Sequence, residues 1–149
     1  MRILIVFLLA VLATPFTAFC AESLEYLNQI NTRYGVVSVK EPAERGDDRE
    51  IYINEKKLPI SDTYISIKKK WEIGGRDIVL ISTSSGGSFC DSLYIFLIVS
   101  EKQALTSESA GNCGKASVVR IKDTILVKFP RMNRDVPAET TEYDNGKVY

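Results

Sequence analysis

Between residues 36 and 129 the chain is a succession of short apolar runs, most of them alternating with polar residues at a period of two. Successive side chains of a strand point to opposite faces, so this alternation marks strands with one buried face. VVSVK (36–40) reads as a first strand. EIYIN (50–54) sets Ile51 and Ile53 against Glu50 and Tyr52, and TYISIKKKWEI (63–73) points Ile65 and Ile67 one way. Two runs are different. DIVLIS (77–82) and SLYIFLIVS (92–100) are apolar at both phases, which fits strands covered on both faces, at the centre of a sheet or between layers.

Turn chemistry falls between these runs. NEKK leads into LPI as a hairpin return, Gly74-Gly75 closes the strand before it, and SVVRIKDTILVKF (117–129) turns around Lys122-Asp123. Asn145-Gly146 is the strongest hairpin signal, because both residues tolerate the positive φ of a two-residue turn. EPAERGDDRE (41–50) reads as a solvated loop. Only AESLEYLNQINTRYG departs from the strand texture: Leu24, Leu27 and Ile30 have helical spacing, with Ser23 as N-cap and Gly35 as C-cap. The pattern predicts a mainly β fold, an antiparallel meander of roughly seven to nine strands with one short N-terminal helix. Sandwich, barrel and propeller-like closures all remain open.

The first twenty residues change the picture of the whole. Arg2 precedes an apolar run from Ile3 to Ala13, then come Pro15 and small residues, the layout of a secretory signal peptide. The run is shorter than the roughly 20 residues a membrane span needs. Cleavage is expected after Cys20, with Ala18 and Cys20 at the two positions the peptidase reads. Phe19 is too large to precede a lipidated cysteine and Thr17 replaces the usual leucine, which disfavours a lipoprotein. Residues 21–149 then form one β-rich domain in the periplasm or outside the cell. Cys90 and Cys113 remain, and an even pair in an exported chain reads as a disulfide, contributing about 3 kcal/mol.

Charge and composition exclude several functions. Lys and Arg number 19 against 19 Asp and Glu, so the chain lacks the basic surplus of a nucleic-acid binder. Lys68-Lys69-Lys70 is the one cationic run and reads as a solvated strand end. There is no histidine, which removes the usual general base and any Ser-His-Asp triad. Ser66 and Lys69 match S-x-x-K, but on a strand and without companion motifs. Asp47, Asp48 and Glu50 cluster in the charged loop, where nothing raises a carboxyl pKa for acid catalysis. No metal or cofactor is expected, and no enzyme activity.

What is left is STSSGGSFC (82–90), between the two doubly apolar runs. It lacks the first glycine of a nucleophile elbow and the lysine of a P-loop. A hairpin turns in two residues, so Ser84, Ser85, Gly86, Gly87 and Ser88 exceed what turning requires. The segment either connects two core strands or forms a contact surface fastened at Cys90.

The run IVLISTSSGGSFCDSLYIFLIV with GNCGKASVVRIKDTILVKFP resembles small exported bacterial β proteins, in which a strand leads to a Gly-Gly loop and a first cysteine, then an aromatic strand and a second cysteine. Among these are periplasmic immunity proteins of type VI secretion, which block peptidoglycan-cleaving effectors by inserting a small Ser/Gly loop into the active-site groove. The resemblance covers roughly residues 77–130 and has few motifs. It implies a non-enzymatic inhibitor whose partner is a cell-wall hydrolase and whose contact loop is Ser84 to Ser88. The other expectation is a structural or accessory envelope protein with no dedicated target.

Overall fold

The structure is a computed structural model that describes residues 21–86 and 92–149. The proposed signal peptide and its cleavage site at Cys20 lie outside the described residues, as do Gly87, Ser88 and Cys90. Among the described residues twelve strands, more than the alternation alone predicted, form three four-stranded antiparallel sheets. Sheet I contains β1 (Gln29–Thr32), β2 (Gly35–Lys40), β3 (Arg49–Ile53) and β4 (Lys56–Asp62). Sheet II contains β5 (Tyr64–Ile73), β6 (Arg76–Ser84), β7 (Leu93–Val99) and β8 (Ala104–Thr106). Sheet III contains β9 (Ser117–Ile121), β10 (Thr124–Phe129), β11 (Glu139–Asp144) and β12 (Lys147–Val148). In each sheet the strands lie side by side in chain order, so every sheet is a local meander.

Sheet II lies between the other two, which is why β6 and β7 are apolar at both phases. Ile78 and Leu80 of β6 join Phe96 and Ile98 of β7 in a core shared with Val118, Ile125, Val127, Phe129 and Tyr143 of sheet III. The alternate residues Val79, Ile81, Leu97 and Val99 pack instead with Val37, Ile51, Leu58 and Ile60 of sheet I. One strand thus contributes to two cores. Ile78, Val79, Leu80 and Ile81 are all at 0% exposure.

Strand β5 changes sides part-way. Ile65 and Ile67 face sheet I, whereas Trp71 and Ile73, at the same parity, belong to the core with sheet III. The switch is a β-bulge: Ile67 pairs with Ile81 and Lys69 with Leu80, leaving Lys68 as the extra residue. One inserted residue exchanges the two faces of everything after it. Lys68, Lys69 and Lys70 are therefore not a solvated strand end. None is exposed, and Lys68 is only 3% exposed.

The expected helix is absent: residues 21–28 run as an extended strap into β1, and Gly35 starts β2 instead of capping a helix. Glu22 bridges Val118 on the edge of sheet III, and Leu27 bridges Ile67 on the edge of sheet II. Glu25 N–H donates to the Lys68 carbonyl at 3.0 Å. The helical spacing of apolar residues has another cause here. Leu24 packs on the core with sheet III, while Leu27 and Ile30 pack on the core with sheet I. The strap also covers the open edge of β5, whose backbone groups would otherwise be unpaired. At Gly35 a side chain would start 2.1 Å from Asn54 Nδ2, so glycine is required for that close approach.

The hairpins form as their residues predict. Gly74 and Gly75 have φ of 52° and 74°, and Asn145 and Gly146 have 46° and 86°. The β1–β2 turn is clamped onto the β5–β6 turn. Arg33 donates from its backbone N–H and from Nε to the two Asp77 oxygens, each at 2.6 Å, and Tyr34 OH donates to the Gly75 carbonyl at 2.5 Å. The Asp77 carboxylate, at 0% exposure, is thus held by the guanidinium of Arg33. That contact raises the Arg33 pKa, first through the hydrogen bond to Asp77.

Candidate functional site

The Ser/Gly segment starts at the far end of β6. Ser84 is the last residue of that strand and pairs with Tyr64; Ser85 and Gly86 follow, both exposed. Gly86 N–H donates to Ser84 Oγ at 3.2 Å. Gly86 has a φ of 80°, and a side chain there would begin 2.9 Å from the Tyr64 ring. Both the backbone and the ring contact therefore call for glycine. The chain resumes at Ser92, just before β7. Cys113 lies in the turn before β9 with a φ of 67°.

Beside the base of this segment is a cleft of about 520 Å³, lined by Tyr26, Arg49, Tyr64, Ser66, Lys68, Ser84 and Gly86 among others. Five different parts of the chain meet there: the strap, the start of β3, the bulged strand β5, the end of β6 and Ser92 just before β7. The Lys68 ammonium sits 3.1 Å from the centroid of the Tyr26 ring, a cation–π contact. Arg49 lies over the ring of Tyr64 at 5.9 Å and pairs with Glu41 at 3.0 Å. Tyr26 and Tyr64 are 85% and 55% exposed. Burial lowers the Lys68 pKa from its ordinary 10.5 to about 8. A second cleft of about 420 Å³ adjoins the first through Tyr26 and Lys68, and is lined also by Glu22, Tyr94 and Lys115.

Other expected chemistries fare differently. Asp47, Asp48 and Glu50 do line one cleft of about 510 Å³. Glu50, however, accepts hydrogen bonds from Lys57 Nζ and from Tyr52 OH at 2.6 Å, which lower its pKa, Lys57 first. It is held as a carboxylate and is unsuited to act as a general acid. Ser66 and Lys69 do not form a dyad. Lys69 Nζ is bonded to Glu22 at 3.1 Å, and Lys68, not Lys69, shares the cleft with Ser66. Among the described residues no group of three or more His, Cys, Asp or Glu is placed to hold a metal ion, and no helix is long and apolar enough to cross a membrane.

Ser84 and Gly86 of the Ser/Gly segment form one edge of this cleft; its other walls include Tyr26, which stands in an extended strap and not in the expected helix, and Lys68, which is buried and not at a solvated strand end. A signal was present for the second: after Ile65 and Ile67, alternation calls for an apolar residue at 69, and the chain has lysine there. A skipped apolar position inside an otherwise regular strand is what a bulge produces.

Comparison with known proteins finds no matching family model, no matching curated protein and no matching solved structure.

Proposed function

We propose that this chain is an exported binding protein, not an enzyme, of the immunity type that blocks a cell-wall hydrolase. In this reading residues 1–20 direct export and are removed after Cys20. Ser84, Ser85, Gly86, Gly87 and Ser88 enter the partner's active-site groove, and a disulfide between Cys90 and Cys113 fastens the base of the loop. The observation that carries the proposal is the support under Ser85 and Gly86. They emerge exposed directly from β6, seven of whose nine residues are buried. A loop entered from a rigid strand loses little further freedom on binding, which favours affinity. Small side chains and bare glycine backbone suit insertion into a narrow polar cleft, where serine hydroxyls both donate and accept.

The test is inhibition. The protein, immobilised, is used to draw hydrolases from a periplasmic extract, and a captured enzyme is assayed on peptidoglycan with and without it. The double variant Ser85→Trp, Ser88→Trp, which leaves the glycine required at 86 in place, is expected to keep the β-sheet circular dichroism and to lose capture and inhibition by at least tenfold, about 1.4 kcal/mol. Equal inhibition by the double variant would overturn the assignment of the loop. Failure of the wild-type protein to capture or inhibit any hydrolase would favour a structural or accessory envelope role.

A further inference from the structure

The cleft beside the Ser/Gly segment contains one positive charge that no carboxylate of the described residues neutralises. Among its neighbouring cations Arg49 has Glu41, Lys69 has Glu22 and Lys70 has Glu72, and Lys115 lines only the adjoining cleft. Lys68 is the most deeply buried of these cations, yet among the described residues its recorded partner is the face of an aromatic ring. A bulge is a costly place to bury an ammonium, and bulges beside functional sites re-aim one chosen side chain. We propose that this cleft binds a ligand through a single carboxylate, received by the Lys68 ammonium between the exposed rings of Tyr26 and Tyr64.

The charge count selects the ligand. Among the described residues lining this cleft, one positive charge is uncompensated; it matches the single charge of a carboxylate, whereas a phosphate monoester near neutral pH brings about −1.5 to −2. Arg49 adds hydrogen-bond donors but little net charge, since Glu41 already balances it. The volume of about 520 Å³ holds one sugar ring or one amino-acid side chain. The exposed tyrosine faces offer stacking surface to the apolar part of either one. The titratable groups sharing these clefts with Lys68 are Tyr26 and Glu22 of the strap, Arg49 of β3, Tyr64 of β5, Tyr94 of β7 and Lys115 from the turn before β9. The one acid among them, Glu22, is taken by Lys69 and Trp71 Nε1. The inference does not require the Ser/Gly loop to bind a protein, so the two readings stand or fall separately.

The carboxylate can come from an acidic sugar or from an acidic side chain, and the probes distinguish them. The protein, labelled in its lysine ε positions, is titrated by NMR with glucuronate and with N-acetylglutamate at constant ionic strength. Glucose, N-acetylglutamine and inorganic phosphate serve as controls. The Lys68 resonance should move saturably with at least one carboxylate and not with its neutral counterpart. Response to glucuronate alone identifies an acidic sugar, and response to N-acetylglutamate alone an acidic side chain. Because the bound form needs the ammonium, affinity should fall about tenfold per pH unit above the free midpoint of about 8. Lys68→Met should abolish binding. Tyr26→Ala, at a largely exposed position, should weaken it several-fold with the fold unchanged, which keeps the test available if the lysine variant misfolds. No saturable shift by about 50 mM, phosphate binding more tightly than either carboxylate, or undiminished binding by a folded variant would overturn the proposal.

Discussion

The central sheet buries two charges and treats them differently. Asp77, at the turn end of β6, is at 0% exposure, and Arg33 reaches both of its oxygens from the neighbouring sheet. Lys68, on the bulge of β5, is 3% exposed and, among the described residues, meets the ring of Tyr26 and no carboxylate. A paired buried charge ties elements together, because either partner alone would be stranded in low dielectric. A buried cation without a carboxylate does the opposite: it makes the fold less stable than an apolar residue of the same length would. The first arrangement is explained by the fold it holds. The second is not, and that difference is what marks the cleft as a site.

The comparison is broken most directly at Asp77. Asp77→Ala removes the acceptor of the Arg33 backbone N–H and Nε and frees the β1–β2 turn; from the loss of these two charge-assisted hydrogen bonds we expect about 3 kcal/mol lower stability in urea denaturation. A loss below about 1 kcal/mol would mean the pair is not structural. Lys68→Met should act in the reverse direction, raising stability by roughly 2 kcal/mol at pH 7. The pH dependence fixes the sign. Between pH 8 and 10.5 the unfolded chain holds the lysine proton more tightly than the folded chain, so wild-type stability contributed by this group rises across that window. The advantage of Lys68→Met is therefore full below pH 8 and fades toward pH 10.5. Taking the difference between the two proteins cancels the tyrosines that titrate at the upper end, among them Tyr94, whose pKa burial raises.

Glu22→Ala sharpens the contrast from outside the sheet. It removes the acceptor of Trp71 Nε1 at 2.8 Å and the partner of Lys69, and should lower stability by about 1 kcal/mol. Loosening of the strap would also appear as faster amide exchange at Leu27 and Ile67, which bond each other. The smallest effect is expected at Tyr143, whose buried hydroxyl has no hydrogen-bond partner among the described residues. Tyr143→Phe should change stability by no more than about 1 kcal/mol, toward greater stability. A clear loss would show that the uncharged buried group, too, has a structural partner.

Much of the scaffold was legible from local residues. Asn145-Gly146 and Gly74-Gly75 turn where their φ preferences say, and the doubly apolar phases of β6 and β7 announced two layers of cover. What could not be read depends on partners distant in sequence. The parity of β5 after Ile67 is set by its register against β6, so alternation alone groups Trp71 and Ile73 with Ile65 until that register is known. The strap is extended because its N–H groups bond the edges of two other sheets, and spacing within residues 21–35 carries no trace of those edges. The candidate cleft inherits both omissions, since Tyr26 stands on the strap and Lys68 on the bulge.

The strap also imposes an order of assembly. Each sheet is a meander of neighbouring strands, so each has the short-range pairings that form quickly. Glu22, near the start of the described chain, closes onto Val118 of the sheet that is made last. In a chain that emerges N-terminus first, Glu25 and Leu27 can close onto Lys68 and Ile67 once β5 exists, whereas Glu22 must wait for Val118. The wall that Tyr26 provides is therefore available early. The adjoining cleft, lined by Glu22 and Lys115, is finished only when the third sheet has arrived.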